Sequence, residues 1–249
     1  MKNKSKKRVK KLFLILPGIV IVLGLGFCLL GPIKQLIRDY YAQQAVDLTK
    51  DAIIGGLGPI EYKVPATDAL SVEGEDGETE YDLRDLAADM QDLQAGYETL
   101  TVVGLLEIPC LDVEEPIFDS ISSTALRYGV GVFPGTGPIG SRGLTSIWGH
   151  RMKHGKILGN LQYLEDDIGE LVIITTMDGV QHYYKIVATD YAADGDLMKY
   201  MDYNSYDTET VAILTCGYGT SPVTGVYHKW NTEFVVICQP WEGSLPGED

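Results

Sequence analysis

Two side chains in this sequence can do covalent chemistry together: the thiol of Cys216 and the imidazole of His150. A thiolate attacks a carbonyl carbon, and a neighbouring imidazolium protonates the amine that leaves. Each residue closes a strand-like run. His150 ends LTSIWGH, and Cys216 ends ETVAILTC with Gly217 behind it. Strand ends at the rim of a sheet are where loops build a site on a rigid frame. Spacing alone leaves the ordinary alternative open, because a cysteine ending an apolar strand is more often buried and inert. Cys110 (EIPCL) and Cys238 (VVICQ) fit that description. His150 and His154 stand four apart, the spacing of a helical metal pair, but His150 ends a strand-like run and no Glu follows it. No metal and no cofactor is therefore expected. The chain has no GxxxxGK[ST], HExxH or CxxC pattern.

The elements that would position these residues begin at Thr99. Eight short β-rich runs alternate there with Gly, Pro, Asn and Asp turns: 101–108, 112–118, 129–133, 144–150, 170–177, 181–191, 209–216 and 232–239. Met177-Asp178-Gly179-Val180 reads as a hairpin turn. Residues 155–166 (GKILGNLQYLED) are the clearest short helix. Eight strands over 99–240 predict a mainly β domain, a closed and mostly antiparallel barrel or sandwich. Upstream, 34–56 and 81–96 read as helices, with 61–80 an exposed acidic linker between them; together 34–98 form a spacer. Residues 241–249 are a tail.

Charge divides the chain more sharply than its total of −15 suggests. Residues 1–40 hold nine Lys or Arg and one acid, net +8, which leaves −23 for residues 41–249. So acidic a body repels phosphate backbones, and nucleic acid is not expected as a partner. Residues 12–33 are 22 uncharged residues up to Lys34, roughly 33 Å as a helix, enough to cross a hydrocarbon core of about 30 Å. The run is longer than a signal-peptide core of roughly 7–15 residues, so an uncleaved anchor is expected. The basic residues of 1–11 place that end in the cytoplasm and the body outside, on a single-pass membrane protein.

The ordered elements GLLEIPCLDVEEPIF, TALRYGVGVFPGTGPIG and SIWGHR between Gly104 and Arg151, then AILTC and NTEFVV, resemble the sortase pattern. The resemblance implies an eight-stranded sortase-like closed β-barrel and a cysteine transpeptidase of Gram-positive surfaces. Its thiol would attack the Thr carbonyl of a Leu-Pro-x-Thr-Gly-like sorting signal. An amine from a cell-wall precursor or a pilin Lys would then resolve the thioacyl-enzyme. Carried over by position, Cys216 is the nucleophile, His150 the general acid and then base, and Thr215 lines the site. The family's Arg at the start of the last strand is matched here by Glu233, and Lys229 is the only Lys or Arg after Cys216. Lys229 or backbone N–H groups near Gly217 would have to substitute. An acid at Glu233 raises a neighbouring thiol's pKa and repels an oxyanion. The alternative is therefore a non-catalytic or weakly active binding and assembly module, and a hydrolase releasing peptide to water is the third reading. GHRMKHGKILGNL resembles a class B segment. The acidic run 73–80, a conceivable calcium ligand set, reads as solvated charge.

Overall fold

Alternating apolar positions set the architecture of the computed structural model, which describes residues 32–33, 35–66, 96–152, 157–193 and 195–242. The expected tail 1–11, the anchor 12–33 except its last two residues, the acidic run 73–80, the helix 81–96 except Gly96, and His154 lie outside the described residues. Two compact units divide the chain, residues 1–41 and 42–249. In the first, residues 35–41 are helical. Among the described residues no helix is long and apolar enough to cross a membrane.

The second unit opens on helix α1 (42–55), which buries one face through Ala45, Val46, Thr49 and Ala52. Gly56 ends it at φ 61°, a left-handed conformation that glycine adopts without a Cβ clash. Gly56 N–H donates to Ile53 O at 3.1 Å and Leu57 N–H to Ala52 O at 3.0 Å. This pair of bonds satisfies carbonyls the helix would otherwise leave bare. The next element corrects the linker expected from residue 61. Strand β1 (Ile60–Pro65) pairs antiparallel with the first half of β2 (Tyr97–Ile108). Tyr62 and Val64 face inward while Glu61 and Lys63 face out, an ordinary two-residue alternation.

All eight expected strands form. After β2 come β3 (Val113–Phe118), a short helix α2 (Ser123–Tyr128), β4 (Val130–Val132), β5 (Leu144–Trp148), β6 (Leu171–Thr176), β7 (Gln181–Ala193) and β8 (Thr210–Cys216). A two-stranded ribbon follows, β9 (Gly219–Thr220) with β10 (Tyr227–His228), and the last strand is β11 (Thr232–Pro240). The order β2-β3-β4-β5-β8-β11-β7-β6 closes on itself, because β6 pairs back to β2 at Gly104–Glu107. β1 lies outside this ring as a ninth strand. Two joints are parallel, β3–β4 and β5–β8. Asp178-Gly179 makes the expected β6–β7 turn, with Thr176 N–H donating to Val180 O at 3.0 Å and Gly179 at φ 83°.

Period two sorts the side chains into two cores. Leu106, Ile147, Tyr184, Ile213, Phe234 and Val236 belong to the cluster that fills the barrel. Leu144, Ala212, Leu214 and Val235 lie on the outer face of the same strands. There they pack with Tyr200 and Leu197 from the segment between β7 and β8, which carries 3₁₀ turns at Leu197–Tyr200 and Tyr203–Ser205. The helix expected over 155–166 is instead a four-residue 3₁₀ turn, Leu161–Leu164. Leu158, Leu161 and Leu164 are all buried at three-residue spacing, the 3₁₀ repeat rather than 3.6. Ile157 stands at φ 51°, outside helical geometry, and bridges Arg151.

Candidate active site

Three neighbouring strands, β5, β8 and β11, carry the candidate residues, and their registers fix which of them meet. β5 runs parallel to β8 with Trp148 beside Leu214. The ladder continues one step further, since Gly149 N–H donates to Leu214 O at 3.0 Å. Two residues beyond each member of the Trp148/Leu214 pair stand His150, past the end of β5, and Cys216, the last residue of β8. On the other flank of β8, Glu233 is directly opposite Cys216. Adjacent strands lie about 4.8 Å apart and partners in register share a face.

That face is the outer one. Val211 and Ile213 point into the barrel, so Ala212, Leu214 and Cys216 point out. Phe234 and Val236 point in, so Glu233 and Val235 point out. Ile147 points in, and Leu144 and Trp148 point out. Cys216 and Glu233 thus share the outer face, and His150 follows the end of neighbouring β5, each of the three partly exposed. Thr215 is not with them. It was expected to line the site, but period two turns it into the barrel, where it is buried and its Oγ1 has no hydrogen-bond partner among the described residues. Lys229 lies off these strands, exposed in the turn before β11, where its carbonyl accepts from Thr232 N–H at 3.1 Å. Its charge is solvated.

Gly149 and Gly217 stand one residue past the ends of β5 and β8; a Cβ on Gly149 would meet the Leu158 and Val130 side chains, while Gly217 lies against backbone. A Cβ on Gly217 would sit 2.5 Å from Phe234 N and 2.7 Å from the Glu233 carbonyl carbon. The other described cysteines are thiols of a different kind. Cys238 is fully buried in the barrel, and burial pushes its pKa up. Cys110 departs from the buried position expected of it. It is exposed in the 3₁₀ turn Pro109–Leu111. Its thiol is nevertheless pushed up to about 11, first by partial desolvation and then by the Glu170 carboxylate, so it stays protonated at neutral pH. No group of three His, Cys, Asp or Glu side chains that could hold a metal occurs among the described residues.

A family model, the sortase domain, matches residues 106–239, from β2 to β11. The chain belongs to the sortase family. Similar solved structures include sortase A of Corynebacterium diphtheriae, with 18% identity over 85% of this chain and 86% of that one and a TM-score of 0.49. A sortase D5 transpeptidase of Clostridium perfringens has 22% identity over 57% of this chain and 79% of that one, TM-score 0.46. A sortase C of Clostridium perfringens with its C-terminal cell wall sorting motif has 20% identity over 57% and 71%, TM-score 0.46. No curated protein matches by sequence.

Three polar clusters brace the barrel of this sortase, and spacing in the sequence signals none of them. Behind the Cys216 strand end, Arg151 Nη1 donates to Tyr218 O at 2.8 Å and to Gln162 Oε1 at 2.9 Å, with its guanidinium 4.8 Å over the Tyr218 ring. Nearby, Glu165 accepts from Tyr191 Oη at 3.0 Å, from Thr224 Oγ1 at 3.1 Å and from Ser221 Oγ. Tyr191 in turn stacks on His228 at 3.5 Å. The loop between β8 and β11 is thereby tied to the barrel mouth. These contacts join residues 11 to 67 positions apart, so only folding brings them together.

The third brace lies on the outer face. Partial burial opposes ionisation of Asp190, but hydrogen bonds from Lys199 Nζ at 2.8 Å and Tyr200 Oη at 2.7 Å outweigh it and hold the carboxyl below its usual range. A carboxyl so depressed contributes stability above its unfolded pKa and loses it as pH falls through the folded one. The Lys199 pair is largely solvated, so its contribution is that of a surface pair, about 0.2–1 kcal/mol. Asp190→Asn is expected to lower the urea midpoint at neutral pH and to lower it less at acid pH, as the carboxyl takes up its proton. Equal losses at both pH values would contradict an ionic origin.

Proposed function

We propose that this sortase is an active, membrane-anchored cysteine transpeptidase whose barrel faces the outside of the cell. Cys216 attacks the Thr carbonyl of a Leu-Pro-x-Thr-Gly-like sorting signal, and His150 protonates the leaving amine. The thioacyl-enzyme then passes to an amine on the cell wall or a pilin. One observation supports the reading: the parallel ladder of β5 and β8 ends within two residues of both His150 and Cys216, each partly exposed. Nucleophile and proton carrier must lie within such reach for acyl transfer. The apolar run 12–33 behind a basic tail supports the anchoring.

The test is to incubate the full chain in detergent with a panel of Leu-Pro-x-Thr-Gly-like peptides and an amine, then to look by mass spectrometry for a thioacyl adduct on Cys216. An adduct and an amide product support the reading, hydrolysis alone supports a hydrolase, and no adduct with any peptide overturns both. Glu233, opposite Cys216, favours one second reading, a sortase-like module that binds signals without cleaving them. In that case a Cys216→Ala protein binds the same peptides with unchanged affinity and still supports surface assembly in cells.

A further inference from the structure

Glu233 stands where it can touch whatever arrives at Cys216, and its chemistry suits only one of the reacting partners. Gly217 N–H donates to Thr232 O at 2.7 Å. That makes 217/232 the hydrogen-bonded pair of the β8–β11 ladder and 216/233 the non-hydrogen-bonded one. In such pairs the Cα atoms lie about 4.5 Å apart and the side chains come closest. Both side chains leave the barrel on the same face and both are partly exposed. Glutamate is the longer of the two, so its carboxylate reaches groups approaching an acyl carbon bonded to the Cys216 sulfur.

A carboxylate at that point opposes an oxyanion and favours a cation. The peptide carbonyl is neutral before attack and anionic during it. Water is neutral throughout. An incoming alkyl amine is different: with a pKa of about 10.4 it arrives as an ammonium at neutral pH, and it cannot attack until it loses a proton. It must also come within bonding distance of the thioester carbon.

We propose that Glu233 is a catalytic residue of the second half-reaction, docking the ammonium of the incoming amine and taking its first proton. The inference rests on the transpeptidase reading above. The Glu233 carboxylate accepts one proton from R–NH₃⁺ and becomes a carboxylic acid. The freed lone pair forms the N–C bond to the thioester carbon, and neutral His150 accepts a second proton from that nitrogen. The C–S bond breaks, Cys216 leaves as thiolate beside the His150 imidazolium, and Glu233 releases its proton to water. The products are an amide, the restored thiolate–imidazolium pair and one solvent proton. Such a site takes strongly basic primary amines and discriminates against neutral nucleophiles.

The experiment charges the full-chain protein and its Glu233→Gln variant with the same sorting-signal peptide. It then compares discharge at neutral pH by lysine amide, which arrives as an ammonium, with discharge by hydroxylamine, which arrives neutral. The ratio of the two rates is expected to fall on the order of 10² in Glu233→Gln, the size of a general-base contribution, and to be partly kept in Glu233→Asp. A structural role would slow both nucleophiles alike. An unchanged ratio, or equal losses with both, overturns the inference while leaving the transpeptidase reading intact. Failure of the wild-type protein to acylate with any peptide overturns that reading and this inference with it.

Discussion

Cys216→Ala and His150→Ala proteins are each expected to lose sorting-peptide cleavage by on the order of 10³-fold or more, and the double variant to lose no more than the worse single one. The reason is the shared position at the ends of two parallel strands. A thiolate without its imidazolium cannot expel an amine, and an imidazolium without the thiolate has nothing to assist. Residues acting as one unit give such non-additive losses. Measured kcat/KM values for the three variants decide the matter. Losses that multiply would mean the two side chains act independently, and near-normal cleavage by Cys216→Ala would end the proposed mechanism.

Gly217→Ala is the second large effect. The new methyl carbon would meet backbone atoms of Glu233 and Phe234 at 2.5–2.7 Å, and backbone cannot swing aside as a side chain can. The β8–β11 ladder must open at the end that carries Cys216 and Glu233. Overpacking of this kind costs about 1–3 kcal/mol. Displacing reacting groups by about 1 Å costs on the order of 10² in rate. Urea midpoint and kcat/KM are both expected to drop, the second more than global destabilisation explains. A variant with wild-type kcat/KM would show that the strand end tolerates the shift and that positioning there is loose.

Most of the barrel was legible because its strands alternate cleanly. β8 reads V-I-T inward and A-L-C outward, and that same alternation shows Thr215 facing away from Cys216, a step the family resemblance obscured. β1 also alternates, with Tyr62 and Val64 inward. Its six residues stand alone before an acidic stretch, so charge hid the pattern. Residues 155–166 misled in the opposite way: three leucines at spacing three fit a helix face loosely and a 3₁₀ turn closely. The row His150–Cys216–Glu233 was only half legible. Its members lie 66 and 17 positions apart. Their placement on neighbouring strands depends on β5 pairing with β8 and β8 with β11, long-range pairings that local sequence does not encode. The braces at Arg151 and Glu165 depend on the same closure.

Closure of the ring has a colloidal consequence. A sheet whose first and last strands pair offers little bare rim to recruit strands from other molecules, and β1 stands at one open margin of the main sheet. There Lys63 points to solvent and Pro65 supplies no N–H, two features that discourage cross-β growth. Concentrated solutions are therefore expected to stay free of fibrils until the barrel itself unfolds, with thioflavin fluorescence rising no earlier than loss of the native fold.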